Sequence, residues 1–198
     1  MISAIFGLCG SGKTTFLAYY AQRALRGKAL RVGSTWLQDN ADYKTVYSNT
    51  PISGTCKLDL STIGMFSYRD SLILIDESVL LADSRDYKKL DKDLMMFFKQ
   101  HRKYHSDIIL ASQGYKDMDL RIRDLYEQVL YCERWLFGCS RLSVVDKDIS
   151  FNKNIDERYI LRGFLNRKTI RRKKYYPLFN TDYMHGRQLP DPPPPVLW

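Results

Sequence analysis

Residues 7–14, GLCGSGKT, match the spacing G-x-x-x-x-G-K-[ST], and nothing else in the chain constrains its fold as tightly. Glycines at this spacing let successive backbone N–H groups turn inward around phosphate oxygens, at a helix N-terminus whose dipole favours anions. The geometry requires a strand before the loop and a helix after it. Both flanks comply. Residues 3–6 are a short apolar run, and TFLAYYAQRALRG keeps apolar residues at helical spacing until Gly27.

The rest of the chain continues the alternation. ALRVG (29–33) and KTVYSNTPI (44–52, closed by Pro51) read as strands. SLILIDE (71–77) is a buried parallel strand with carboxylates at its exit, and DIILASQ (107–113) repeats that formula with polar residues. Residues 85–104 form a charged amphipathic helix with Leu90, Leu94, Phe97, Phe98 and Tyr104 on or near one face, and DLRIRDLYEQ (119–128) reads as helical. VLYCERWLF and RLSVVDKDISF alternate about Gly138, a β-hairpin over residues 129–151. The expected fold class is α/β: a three-layer P-loop NTPase sandwich with a mainly parallel sheet and a C-terminal β-hairpin or strand extension. Residues 1–165 would form the nucleotide domain. Residues 166–198 would be a basic, tyrosine- and proline-rich extension whose end, PDPPPPVLW, is extended and poorly packed. In such a sheet the ligand sits at the carboxyl ends of the strands, where the loop, Asp76 and Gln113 converge.

Composition narrows the partners. With 31 Lys and Arg against 22 Asp and Glu, the net charge of +9 favours a polyanion or an anionic membrane surface. Cys9, Cys56, Cys132 and Cys139 form no C-x-x-C pair and His101, His105 and His185 have no ligand spacing with them. A zinc site is thus disfavoured and a reducing, cytosolic compartment expected. There is no signal-peptide pattern and no apolar run of transmembrane length.

The chemistry follows from residue types. Gly7, Cys9, Gly10, Ser11, Gly12, Lys13, Thr14 and Thr15 would wrap the phosphates of a nucleotide, with Lys13 reaching the β- and γ-phosphates. Thr14 and Asp76 would hold Mg²⁺, and Glu77 is placed to polarise an attacking water, which favours hydrolysis over phosphoryl transfer. Gln113 either senses the γ-phosphate or simply caps its strand. Arg121, Arg123 and Arg102 are candidate arginine fingers for a neighbouring subunit, or solvated surface residues. No N-K-x-D guanine reader occurs, which favours ATP. The run NRKTIRRKKYY, with six basic residues between Arg167 and Lys174, suits single-stranded nucleic acid, an anionic membrane, or solvent.

In their order and wording, GLCGSGKTT, VYSNTPI, LILIDE, FFKQHRKYHSDIILASQ and LRIRDL resemble the zonular occludens toxin-like family. That family is the ATPase domain of filamentous phage assembly proteins, in the FtsK–HerA group of pumping P-loop ATPases. The spacing of Arg102, Asp107 and Gln113 is the most specific part of the likeness, and YYPLFNTDY is similar to the aromatic segment that follows the family's nucleotide domain. The resemblance implies an oligomeric ATPase that drives virion assembly and extrusion from the cytoplasmic face of the host inner membrane. It also assigns Gly12, Lys13 and Thr14 to nucleotide, Asp76 and Glu77 to metal and water, and Gln113 to sensing. Phage DNA or coat and assembly proteins would be the cargo. Two departures stand out: Lys103 replaces a histidine common in the family, and the family's membrane-spanning helix and periplasmic domain are not seen. A membrane-anchored partner would then supply the anchor, or the protein would pump DNA into a capsid. A nucleotide kinase and a non-hydrolysing scaffold that binds through its proline tail remain the other readings.

Overall fold

Five consecutive buried residues, Ile2–Phe6, form β1, and the computed structural model sets this strand in the interior of the sheet. The structure describes residues 1–39, 42–78, 87–115, 120–146, 160–161 and 166–180. Along these, β1 is followed by α1 (Lys13–Ala24), β2 (Arg31–Val32), β3 (Thr35–Trp36), β4 (Thr45–Ser48), β5 (Cys56–Lys57) and β6 (Ser71–Ile75). Then come α2 (Tyr87–Gln100), β7 (Asp107–Ser112), α3 (Leu120–Arg123), β8 (Gln128–Trp135), β9 (Cys139–Asp146), β10 (Ile160–Leu161) and β11 (Arg167–Arg171).

The main sheet runs in the order β10-β9-β8-β1-β7-β6-β4-β5, with β11 also paired to β9. Pairing is parallel from β8 across to β5. It is antiparallel where the β8–β9 hairpin and strands β10 and β11 extend the sheet. This is the α/β sandwich with a strand extension that the sequence leads one to expect.

Alternation along each strand builds two cores, because successive side chains leave a strand on opposite faces. Ile5, Leu72, Leu74, Ile109 and Leu130 meet Phe16, Leu17 and Tyr20 of α1 on one face. Ile2, Ala4, Ile73, Ile75, Ile108 and Leu110 meet Leu94, Phe97 and Phe98 of α2 and Ile122 of α3 on the other. Side chains as completely buried as Phe16 and Phe98 each contribute about 1.5–3 kcal/mol from burial. The result fixes β1 and β7 rigidly between helical layers, and with them the loops at their carboxyl ends.

Three elements differ from expectation. The helix of 119–128 is confined to Leu120–Arg123, because the Glu127 amide donates to the Ile2 carbonyl and carries the chain into β8. Tertiary pairing overrides a helical pattern there. The strand of 29–33 shrinks to Arg31–Val32, which pairs with Thr35–Trp36 in a separate two-stranded sheet. The helix of 85–104 ends at Gln100, and His101–Tyr104 continue as a 3-10 turn. The hairpin about Gly138 forms as expected, with Trp135 opposite Cys139 and the turn at Leu136–Gly138. Its continuation past Asp146, the side chain of Leu90 and the PDPPPPVLW end lie outside the described residues.

The basic run from Arg167 pairs along β9, and Ile170 and Tyr175 are buried in the α1-side core. All four cysteines are free. Among the described residues no helix is long and apolar enough to cross a membrane.

Candidate nucleotide-binding site

The loop between β1 and α1 is held from both sides. Its Gly7 amide donates to the Gln113 carbonyl at the exit of β7 (3.3 Å), and the Ser11 amide donates to the Leu8 carbonyl (3.1 Å). Two glycines admit no other residue. A Cβ on Gly7 would stand 2.1 Å from the Cys132 carbonyl oxygen of β8. Gly12, with φ +105°, is in the left-handed region, and its Cβ would stand 2.1 Å from Ser140 Oγ of β9. The Lys13 ammonium folds over the loop, donating to the carbonyls of Gly7 (2.8 Å) and Leu8 (3.2 Å). Leu8, Cys9 and Gly10 are exposed, while Ser11 and Thr15 are buried under the start of α1.

Strand order puts the acidic end of β6 within reach of this helix start, with β7 between β6 and β1. Thr14 Oγ1 donates to Asp76 Oδ2 at 2.5 Å. Asp76 is buried, and its Oδ1 accepts the Glu77 amide at 3.1 Å. Glu77 is exposed and left-handed, with φ +49°, a conformation rare for a residue with a side chain. The strand line ends there, and the exposed Glu77 follows directly on the buried Asp76. Gln113 is also exposed, and its carbonyl bonds the first loop glycine, so β7 ends beside the loop.

Asn49, to which the residue chemistry assigned no role, holds Asp76 in place. Its Nδ2 donates to the Asp76 carbonyl and its Oδ1 accepts the Asp76 amide, both at 2.8 Å. This buried side chain completes the backbone pairing one residue beyond β4, where the ladder with β6 stops. An asparagine just past the strand next to an acidic strand end was the available signal.

The candidate fingers fall in two places. Arg121 is exposed on α3, and Arg123 places its guanidinium 5.3 Å from the Tyr115 ring, which in turn packs 5.9 Å from Phe6. Arg102 lies at the opposite, amino-terminal edge of the sheet, ion-paired to Glu127 and 3.4 Å from Asp39. It is not part of its own chain's loop constellation. The same cluster contains the Met1 ammonium, 2.7 Å from Asp39 and paired with the fully buried Asp107, whose Oδ2 accepts the Tyr43 hydroxyl at 2.6 Å. Asp39, His101 and Glu127 also offer ligand atoms within 4.8 Å of one another. The Met1 ammonium and Arg102 pair with these acids, so two cations and three carboxylates form one ion cluster at this edge.

A nucleotide and its metal fit the loop. The donors of Thr14 and Asp76 are hard oxygens, suited to Mg²⁺. The Ser11 hydroxyl is buried beside Gly7 with no hydrogen-bond partner among the described residues. Buried hydroxyls seldom stay unpaired, and a phosphate oxygen is a natural acceptor for this one.

Loop, sheet order and layers together define a P-loop NTPase fold. Residues 31–153 match the family profile described as zonular occludens toxin (Zot), and the chain belongs to that family. The matched residues begin beyond the phosphate loop, so loop and family rest on separate observations. The fold is similar to the N-terminal domain of zonular occludens toxin from Neisseria meningitidis, at 18% identity and TM-score 0.55, over 90% of this chain and 98% of that one. It is also similar to the flagellar accessory protein FlaH from Methanocaldococcus jannaschii, at 16% identity and TM-score 0.50, over 72% of this chain and 76% of that one. No curated protein sequence matches it.

Proposed function

We propose that the protein is a phage morphogenesis ATPase, which binds and hydrolyses ATP to drive virion assembly and extrusion through the host envelope. The observation that carries this reading is the 2.5 Å contact between Thr14 of the helix start and Asp76 of the acidic strand end. Family membership adds the biological setting.

In this account, the backbone amides of residues 7–13 and the Lys13 ammonium bind the phosphates. Bound Mg²⁺, held by Thr14 and Asp76, would neutralise charge on the β- and γ-phosphates. Glu77, exposed just past Asp76, accepts a proton from the attacking water, and Gln113 orients that water or reports the γ-phosphate. Asn49 keeps the Asp76–Glu77 backbone in register with the loop. Arg121 or Arg123 acts on a neighbouring subunit in a homo-oligomer; Arg102 would first have to leave Glu127 and Asp39. The basic strand β11 and the residues after it provide the contact to phage DNA or to coat and assembly proteins. Docking at the cytoplasmic face of the inner membrane is through a membrane-anchored partner.

Steady-state phosphate release tests the reading, with wild type beside Glu77→Gln over a range of protein concentrations, with and without single-stranded DNA. Turnover that rises cooperatively with concentration and is lost in Glu77→Gln supports an oligomeric motor. Tight ATP binding with no turnover in the assembled state would support the scaffold instead.

A further inference from the structure

Two cations to which the reading above gives no part in nucleotide binding lie against the outer edge of the phosphate loop. Arg134, near the end of β8, donates Nε to the Gly10 carbonyl at 2.9 Å. Its Nη2 stands 2.6 Å from the position that a Cβ on Gly10 would take. Arg172, just past β11, donates Nη1 to the same carbonyl at 3.5 Å and Nε to the Gly138 carbonyl at 3.3 Å. Among the described residues neither guanidinium meets a carboxylate. The neighbouring Glu133 is taken by Arg141, at 2.6 and 2.7 Å. Guanidinium groups keep their charge at any working pH. Two of them converging on one neutral oxygen repel each other, and an anion between them would relieve that repulsion through charge-assisted hydrogen bonds.

The order of strands says which part of a ligand this anion is. β1 lies between β8 and β7, with β6 beyond β7. Thr14 meets Asp76 on the β6 side, which is where the metal and terminal phosphates belong. The loop itself leans the other way. The Ser11 carbonyl accepts the Ser140 hydroxyl of β9 at 2.6 Å, and Cys132 Sγ of β8 lies 3.6 Å from it. A polyphosphate lying along the loop from Asp76 therefore turns its other end toward Arg134 and Arg172.

We propose that Arg134 and Arg172 form the α-phosphate and nucleoside-end subsite of a nucleoside polyphosphate bound to the loop of the same chain. The proposal rests on the nucleotide reading above and deepens it. It gives the β8–β9 hairpin and the turn after β11 a part in ligand binding, as the far wall of the site.

The test is equilibrium binding of the Sp and Rp diastereomers of ATPαS to the full chain at fixed Mg²⁺. One non-bridging α-phosphate oxygen is sulfur in these probes, and sulfur accepts hydrogen bonds poorly. Wild type should prefer one diastereomer by on the order of tenfold, the scale of one charge-assisted hydrogen bond. Arg134→Ala and Arg172→Ala should each bind more weakly and bring that ratio toward one. Arg172→Ala leaves the Arg134–Gly10 bond in place, so it serves should Arg134→Ala fail to fold. Arginines that merely prop the loop would weaken both diastereomers equally. Variants keeping the wild-type ratio, or a wild type with no preference, overturn the subsite alone. No binding by wild type, or undiminished binding by Lys13→Ala, overturns the nucleotide reading and the subsite with it.

Discussion

Thr14 and Asp76 are 62 positions apart in sequence, yet their side-chain oxygens meet at 2.5 Å. The chain must cross from the start of α1 through β4 to the end of β6 before this pair exists. A contact formed only in the finished fold, between two hard-oxygen donors, is a strong mark of a site rather than of a turn.

Removing either partner should separate binding from metal use. Thr14→Ala and Asp76→Asn are expected to lower ATP turnover roughly a hundredfold or more, the scale of metal charge stabilisation. Both should also lose the Mg²⁺-dependent part of nucleotide affinity. Titrating Mg²⁺ against nucleotide binding checks this, and affinities that respond to Mg²⁺ as wild type does would count against the assignment.

The loop's own thiol gives a second handle. Cys9 is exposed, whereas burial pushes the Cys132 thiol up to about 11, so it stays protonated and unreactive at neutral pH. In a Cys56→Ser background, maleimide should label Cys9 far faster than Cys132, and saturating ATP should slow that labelling. Peptide mass spectrometry reads both sites. Labelling of Cys9 at the same rate with and without ATP would argue that no nucleotide covers the loop.

Asn49 offers a stability test with a defined cause. Asn49→Ala leaves the buried amide and carbonyl of Asp76 without partners, which should cost about 2–4 kcal/mol of stability. A urea unfolding midpoint within error of wild type would show that the clamp is not needed.

The α/β alternation, the loop and the acidic strand were legible because each is written in contiguous residues: an apolar run, glycines at fixed spacing, ILIDE after SL. Gln113 was legible for the same reason, as the polar exit of an apolar strand. What was not legible depends on which strands become neighbours. Asn49 acquires its task only when β4 lies beside β6, and Arg134 and Arg172 reach Gly10 only because β8 lies beside β1 and β9 carries β11. The overlong helix of 119–128 fails for a related reason. Its periodic apolar residues, Ile122, Leu125 and Tyr126, do bury or half-bury, but the sheet claims the backbone at Glu127. Arg102 shows the converse: its spacing from Gln113 in sequence is preserved, while β7 carries the two to opposite edges of the sheet.

That amino-terminal edge predicts a pH dependence. Burial, and then the nearby Met1 ammonium, hold the His101 imidazole below its ordinary 6.5. The unfolded chain thus takes up a proton near pH 6.5 and the folded chain only at lower pH. Stability from this group is complete above about pH 6.5 and declines as pH falls through the folded value. Thermal unfolding between pH 8 and pH 5 should show wild type losing melting temperature more steeply than His101→Gln. Parallel profiles would remove His101 as the cause.

Phosphate release from MgATP by the purified protein, wild type beside Lys13→Ala, decides whether the loop binds and turns over nucleotide. Wild type should show measurable, Mg²⁺-dependent turnover and Lys13→Ala none, since the ammonium that folds over Gly7 and Leu8 is the loop's own cation. Equal turnover by the two proteins would contradict this.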